Sequence, residues 1–141
     1  MAFPFSLVIA LIPLGYVVGV IAKRKRDISE KWEGHPDIVR ISGANGFGMT
    51  SRGRGQIRGN GILVLTRDQV VFEQIIPATT TQIPLQVISD ISVVHSHLGR
   101  TRGVPLLKIT FLNEDGIEDS GAWWVKDLEV WKEDLARAIS H

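Results

Sequence analysis

Apolar residues divide the chain into an uncharged N-terminal block and a longer part in which apolar and polar residues alternate. No charged residue occurs from Ala2 to Ala22, a run of 21 positions. An α-helix rises ~1.5 Å per residue, so a helix of this length spans the ~30 Å hydrocarbon core of a bilayer. We therefore predict one transmembrane helix over residues 1–22.

A basic cluster follows the apolar block and sets its expected orientation. The N-terminal side carries no Lys or Arg, so the positive-inside tendency places the C-terminal domain in the cytoplasm. We predict a single-pass membrane protein with a basic juxtamembrane connector over residues 23–36. A cleaved signal peptide is the alternative, but it would lack a basic n-region and have an unusually long apolar stretch. The residues expected at the membrane surface are Lys23, Arg24, Lys25 and Arg26.

Two glycines in the apolar block have the spacing of a helix-dimer motif. Gly15 and Gly19 form a G-x-x-x-G pair, which allows two membrane helices to approach closely. The pair makes a homodimer the alternative interpretation. The interpretation that we favour is that glycine is frequent in membrane helices in general.

The remainder of the chain has the period-two alternation of β-strands. Seven glycines between 43 and 61 exclude an ordinary helix there and indicate twisted strands with bulges, or a loop. Tight turns are predicted at Arg67-Asp68 and at Asn113–Gly116. The predicted strands are Ile62–Thr66, Gln69–Gln74, Thr79–Leu85, Val87–Val94, Leu106–Leu112 and Ile117–Val125.

The phase of each predicted strand assigns a buried face. Val70 and Phe72 share a face, as do Leu107, Ile109 and Phe111, and a third set is Val87, Ile91 and Val93. Near the connector, Ile28 and Trp32 are spaced for one or two helical turns that end before Gly34 and Pro36.

The period changes to that of a helix at the end of the chain. Asp127 is a residue type that is favoured at a helix N-cap. The helix that follows has one apolar stripe, which should cover the open side of the sheet. The stripe comprises Leu128, Trp131, Leu135, Ala138 and Ile139. The pattern predicts a mainly β domain with a C-terminal α-helix.

Two motifs follow each other in the strand region. The first consists of Gly61, Leu63, Leu65, Thr66, Val70 and Phe72, and the second of Ile83, Pro84, Leu85, Ile88 and Ile91. In this order they resemble the start of GRAM and bacterial pleckstrin-homology-like (PH-like) domains. The resemblance implies a PH-like antiparallel barrel or sandwich over residues 37–141, which follows the predicted transmembrane helix. It also implies a non-enzymatic module that binds lipid headgroups, peptides or protein surfaces.

Arginines at two glycine-flanked positions are the candidate anion- or lipid-binding residues. They are Arg52, Arg54 and Arg58 in one stretch and Arg100 and Arg102 in another. The planar fork of arginine donates two parallel hydrogen bonds to a phosphate, and neighbouring glycines leave backbone N–H groups accessible. The alternative is a solvated basic loop that is attracted to the anionic leaflet without a specific pocket.

No catalytic or cofactor motif accompanies these arginines. The sequence contains no cysteine. His95 and His97 alternate onto one face but have no evident third ligand, so no metal site is predicted. No nucleophile–base set is recognisable. The Arg-Gly segment lacks the interleaved aromatic residues of an RNA-binding stretch, so no nucleic-acid partner is expected.

Charge and the adjacent tryptophans complete the expected function. Residues 109–141 carry eight Asp or Glu and three Lys or Arg, so the domain has an acidic end. Trp123 and Trp124 must face opposite ways, and an exposed one near Glu118 and Asp119 would be a protein contact. We interpret the chain as a single-pass, membrane-anchored interaction or scaffold module without catalytic activity or cofactor. Its expected partner is a membrane or cytoplasmic protein. The alternatives are an anionic headgroup-binding module and an enzyme with an unrecognised site.

Overall fold

The computed structural model describes residues 14–53, 59–99 and 103–140. The chain divides into two compact units, Met1–Glu33 and Gly34–His141. The first unit contains helix α1, Leu14–Trp32. The described residues of the second form seven strands and one α-helix: β1 Ile38–Met49, β2 Gly59–Thr66, β3 Gln69–Gln74, β4 Thr79–Pro84, β5 Ile88–Val94, β6 Leu106–Leu112, β7 Glu118–Val125 and α2 Leu128–Ile139.

Helix α1 continues without a break through the basic cluster, so most of the predicted connector is helical. The helix ends at Trp32, before Gly34 and Pro36, as the spacing of Ile28 and Trp32 predicts. In the described part of the chain, no helix combines the length and apolar character needed to cross a membrane. Residues 1–13 of the predicted transmembrane segment lie outside the described residues.

The second unit is built on one antiparallel sheet with the strand order β4-β3-β2-β1-β7-β6-β5. All six predicted strands are present, and β3 and β6 have the predicted bounds. The glycine-rich stretch forms the end of β1 and the start of β2, with a register shift between Gly46 and Met49. The prediction of a bulged strand for this stretch is therefore confirmed for its described residues.

The core lies between the concave face of the sheet and α2. Its strand residues include both predicted faces, Val70 with Phe72 and Leu107 with Ile109 and Phe111. Trp131 and Leu135 of α2 are fully buried in this core, and the rest of the predicted stripe packs against it. Alternation and helical spacing thus identified the core correctly in both kinds of element.

Two details of the predicted pattern are confirmed only in part. Val87 and Ile91 of the predicted face pack against the core, but Val87 lies in a 3-10 turn before β5, and a register shift between Ile88 and Asp90 places Ile88 in the core as well. Asp127 occupies the N-cap position of α2, but its side chain makes no capping hydrogen bond. Its backbone carbonyl instead accepts a hydrogen bond from the N–H of Trp131 at 3.0 Å.

Candidate functional site

Three connections meet at one end of the sheet, which we call the loop end. The described start of the β1–β2 connection, residues 50–53, lies at the same end as the β3–β4 connection because β1, β2 and β3 are successive antiparallel neighbours. The β6–β7 turn lies there too, because β7 runs antiparallel to β1 and its Gly121 pairs with Met49. The loop end therefore gathers residues that are far apart in the sequence.

Asp119 holds the start of the β1–β2 connection against β7. Its carboxylate accepts hydrogen bonds from the backbone N–H of Ser51 at 2.9 Å and from the Ser51 hydroxyl at 2.7 Å. It also accepts one from the N–H of Ser120 at 2.9 Å. The Thr50 and Ser120 hydroxyls are 2.5 Å apart. Because Asp119 is buried, these bonds compensate the loss of its hydration and fix the 3-10 turn Thr50–Arg52.

Two cavities open at the loop end. The first, which we call the inner cavity, has a volume of about 250 Å³. Its walls are Gly46, Gly48, Met49, Arg52, Phe72, Gln74, Pro77, Thr79, Thr81 and Trp123. Phe72 and Trp123 form its aromatic base and meet edge to face, with ring centroids 5.9 Å apart. The inner cavity is therefore mostly apolar, with a few polar groups around it.

The second cavity, which we call the edge groove, has a volume of about 490 Å³. One wall is β4, through Thr80, Thr81, Gln82 and Pro84, and the other is the end of β6 with the β6–β7 turn, residues 111–115. The inner cavity and the edge groove share Met49, Arg52 and Thr81. Of the described residues that line either cavity, Arg52 is the only cation, whereas Glu114 and Asp115 line the edge groove.

Gly121 has no side chain, which leaves room for the aromatic rings at the bottom of the inner cavity. A Cβ on Gly121 would lie 2.5 Å from Cη2 of Trp123 and 2.7 Å from Sδ of Met49. Real Cβ atoms do not approach other atoms so closely, so glycine at this position leaves room for the Trp123 ring and the Met49 sulfur. The alternation of apolar and polar residues in a strand does not reveal where such a glycine is needed.

The predicted arginine site is described only in part. Arg52 is exposed at the rim of both cavities. Arg54, Arg58, Arg100 and Arg102 lie outside the described residues, so their assignment as anion- or lipid-binding residues stays a prediction.

The other predicted residues lie in the two units as follows. Gly15 and Gly19 are exposed on α1, and no atom lies within 4 Å of a Cβ built on either. The Nε2–H of buried His97 donates to the Gly48 carbonyl at 3.0 Å, which attaches the β5–β6 connection to β1. No cluster of three metal-ligand side chains occurs within the described ranges. The four basic residues Lys23, Arg24, Lys25 and Arg26 all lie on α1.

Trp123 and Trp124 face opposite sides of the sheet, as the alternation of a strand requires, but neither ring is exposed. Trp123 is in the main core, and Trp124 is half-buried on the opposite face, against Phe47, Leu106 and Ala122. The predicted acidic neighbour Asp119 is buried and accepts three hydrogen bonds. The sequence-based suggestion of an exposed Trp beside this carboxylate is therefore wrong.

Comparisons with known proteins identify the fold. No protein-family model and no curated protein matches the chain. A chain of the 8S snRNP assembly intermediate is similar with a TM-score of 0.59 and 8% identity, covering 75% of this chain and 84% of that chain. The Vps36 N-terminal PH domain is similar with a TM-score of 0.53 and 19% identity, covering 73% and 78%.

A third structure agrees with these two. It is the C-terminal domain of an unknown protein from Leishmania infantum, with a TM-score of 0.54 and 13% identity, covering 89% of this chain and 99% of that chain. Together with the antiparallel sheet and its C-terminal helix, these similarities show a PH-like fold. At such low identities they show the fold alone.

Proposed function

We propose that this protein is a membrane-anchored PH-like module that binds a partner protein at its loop end and catalyses no reaction. The observation that carries the proposal is the pair of cavities that share Met49, Arg52 and Thr81. Concave sites with mainly apolar walls and a few convergent polar groups are the usual places where ligands bind.

The lining chemistry favours a protein segment over a phosphorylated headgroup. A multiply charged phosphate is normally held by several cationic donors, and Arg52 is the only one among the described lining residues. Glu114 and Asp115 would repel an anion that entered the edge groove. The apolar walls of the inner cavity, together with the hydroxyl and amide groups of the edge groove, instead suit side chains and backbone of a polypeptide.

Support for a non-catalytic role comes from the way the reactive groups are used. The Ser51 hydroxyl donates to Asp119, and no histidine is among the described residues that line the cavities. A serine nucleophile needs a base such as histidine within hydrogen-bond reach.

The membrane part of the proposal rests on the sequence. An uncharged run from Ala2 to Ala22 precedes the basic cluster Lys23–Arg26, as in helices that cross a bilayer with their C-terminal side in the cytoplasm. In this arrangement the PH-like unit recruits or holds its partner at the inner membrane surface.

Site-specific crosslinking in the native membrane tests the proposal. A photoreactive residue in place of Leu112, which is exposed beside the edge groove, should capture a defined protein. The same residue in place of Val130, exposed on α2, is the matched control and should not capture it. Equal capture at both positions, or none at Leu112, would contradict the proposal.

Anionic headgroup binding is the second candidate, and the exposed position of Arg52 at the rim of both cavities favours it. The full-length protein in nanodiscs of uncharged lipid can be titrated with glycerophosphoinositol. Headgroup recognition predicts saturable binding that Arg52→Ala removes. Arg67→Ala, at an exposed arginine in the turn at the opposite end of β2, should leave such binding unchanged. If the loop end instead recognises a protein, the wild type, Arg52→Ala and Arg67→Ala should all show no saturable binding of glycerophosphoinositol.

A further inference from the structure

We propose that β4 accepts an extended, basic peptide segment of the partner as an additional strand along the edge groove. This inference rests on the proposed protein recognition at the loop end and names the form and charge of what is bound. Its first basis is topology: β4 is the terminal strand of the sheet and pairs with β3 alone among the described strands. In an antiparallel strand alternate residues point their N–H and C=O groups away from the neighbour, toward an added strand.

The two edges of the sheet differ in how they are protected. Edge strands commonly carry a charge, contain a bulge or are covered by another element, because an open edge can pair with other chains. The β5 edge has all three features: exposed Asp90, the register shift beside it, and α2 packed against it. The β4 sequence TTTQIP carries no charge and pairs with β3 without a shift. The β4 edge is therefore the one that is available for pairing.

The composition of β4 also suits strand addition. Threonine is favoured in strands, and Thr79, Thr80 and Gln82 are exposed. Pro84 has no N–H and ends the usable edge, which leaves five residues, from 79 to 83, for pairing. An added strand of about five residues matches the common length of strands in globular proteins.

The edge groove supplies the space and the chemistry for the side chains of such a strand. It runs beside β4 and has apolar groups on its floor, including Met49 and Phe111. Successive side chains of a strand point to opposite faces, so about half of those in the added segment would enter the groove. Met49 and Phe111 favour apolar side chains where they are reached, and the hydroxyl and amide groups of the lining favour polar ones elsewhere.

Charge complementarity selects a basic residue as well. Glu114 and Asp115, exposed in the turn opposite β4, carry two negative charges. Asp119 also lines the groove, but its carboxylate oxygens already accept three hydrogen bonds within the domain. A Lys or Arg of the partner segment that reaches the turn would therefore be attracted, and an acidic one would be repelled.

Selection from a library of random ten-residue peptides against the full-length protein in uncharged nanodiscs tests this inference. We expect enrichment of peptides that alternate apolar and polar residues and contain Lys or Arg. The double variant Glu114→Lys/Asp115→Lys should bind an enriched peptide about tenfold more weakly. The matched control Glu129→Lys/Glu133→Lys reverses two exposed charges on α2 and should bind as the wild type does.

Backbone pairing is tested with the same enriched peptide, N-methylated at one residue at a time. Binding should be lost at alternate residues only, because every second N–H of an added strand points to β4. Charge reversal without effect, or N-methylation without an alternating pattern, would overturn the inference. A dimer of the peptide-free protein would also overturn the inference if Thr81→Lys abolished that dimer. The occupant of the β4 edge would then be a second copy of this chain.

The failures of the two proposals can be told apart. Crosslinking to a partner at Leu112, together with no enriched peptide, would leave loop-end recognition standing and reject strand addition. Absence of both the crosslink and the enriched peptide would reject the two proposals together.

Discussion

Asp119 lies near the start of β7, where its carboxylate accepts hydrogen bonds from the Ser51 N–H, the Ser51 hydroxyl and the Ser120 N–H. Strand β7 thereby fixes the first turn after β1, and with it the backbone from which Arg52 reaches the cavity rim. The position of this arginine thus depends on a residue 67 places further along the chain.

Substitution of Asp119 by alanine measures that dependence. Asp119→Ala leaves two backbone N–H groups without their acceptor, so the free energy of unfolding should fall by about 2–3 kcal/mol in urea denaturation. Asp127→Ala is the matched control, because the Asp127 side chain makes no capping hydrogen bond, and its effect should stay below about 0.5 kcal/mol. Equal effects of the two substitutions would show that the Asp119 contacts do not stabilise the loop end.

Gly121 provides a second test at the residue scale. Gly121→Ala would place a Cβ against the Trp123 ring and the Met49 sulfur, so stability should fall by about 1–3 kcal/mol. Gly43→Ala is the control in β1, where no atom lies within 4 Å of the new Cβ, and should change stability little. Thermal unfolding of the two variants compares them directly, and an unchanged melting temperature for Gly121→Ala would contradict the close packing.

At the scale of elements, α2 is attached to β1 through polar contacts as well as through its apolar stripe. The Trp131 Nε1–H donates to the Ser42 hydroxyl at 2.9 Å, and Arg40 forms a short ion pair with Asp134. These contacts fix the position of the helix along β1 while Trp131 and Leu135 fill the core.

The hydrogen bond between α2 and β1 can be isolated with a double-mutant cycle. Trp131→Phe, Ser42→Ala and the double variant should give a coupling free energy of about 0.5–1.5 kcal/mol in urea denaturation. Val130→Ala, at an exposed position of the same helix, should not couple to Ser42→Ala. A coupling near zero for Trp131 would mean that the bond adds nothing to the attachment of α2.

Most elements of the fold could be predicted because their burial follows a simple period. Strands β3 and β6 and helix α2 each present one face to the core, and alternation or helical spacing records that face in the sequence. Strand β5 is the exception, because the register shift between Ile88 and Asp90 changes which residues face inward. A bulge of this kind depends on pairing with β6, which local pattern does not contain.

Among the described residues that line the two cavities, the sequence predicted only Arg52 as a binding residue. The cavities depend on Asp119, Gly121 and Thr81, which come from β7 and β4 and meet the end of β1 only after the sheet has formed. Neither Asp119 nor Gly121 belongs to a motif, since one acts through long-range hydrogen bonds and the other through a missing side chain. The composition of residues 109–141 did predict an acidic end of the domain, and Glu114 and Asp115 from this part line the edge groove.

At the scale of the whole molecule, the proposed role requires the chain to be held in a membrane. Val18 belongs to the uncharged run and is exposed on α1. Val18→Asp would cost about 2.5–3.5 kcal/mol in an inserted helix, so a large part of the protein should leave the membrane fraction in carbonate extraction. Val130→Asp, on the exposed face of α2, should leave the distribution unchanged. Identical distributions of the two variants would contradict the membrane anchor.

Binding of a partner protein should protect the loop end of the PH-like unit. Amide hydrogen exchange measures this protection when the full-length protein in its native membrane is compared with the purified protein in uncharged nanodiscs. We expect slower exchange in the native membrane at Met49–Arg52, at Thr79–Pro84 and at 112–115, because these segments line the shared cavities. Slowing confined to α2 or to β5, or equal exchange at the loop end in both samples, would contradict the account.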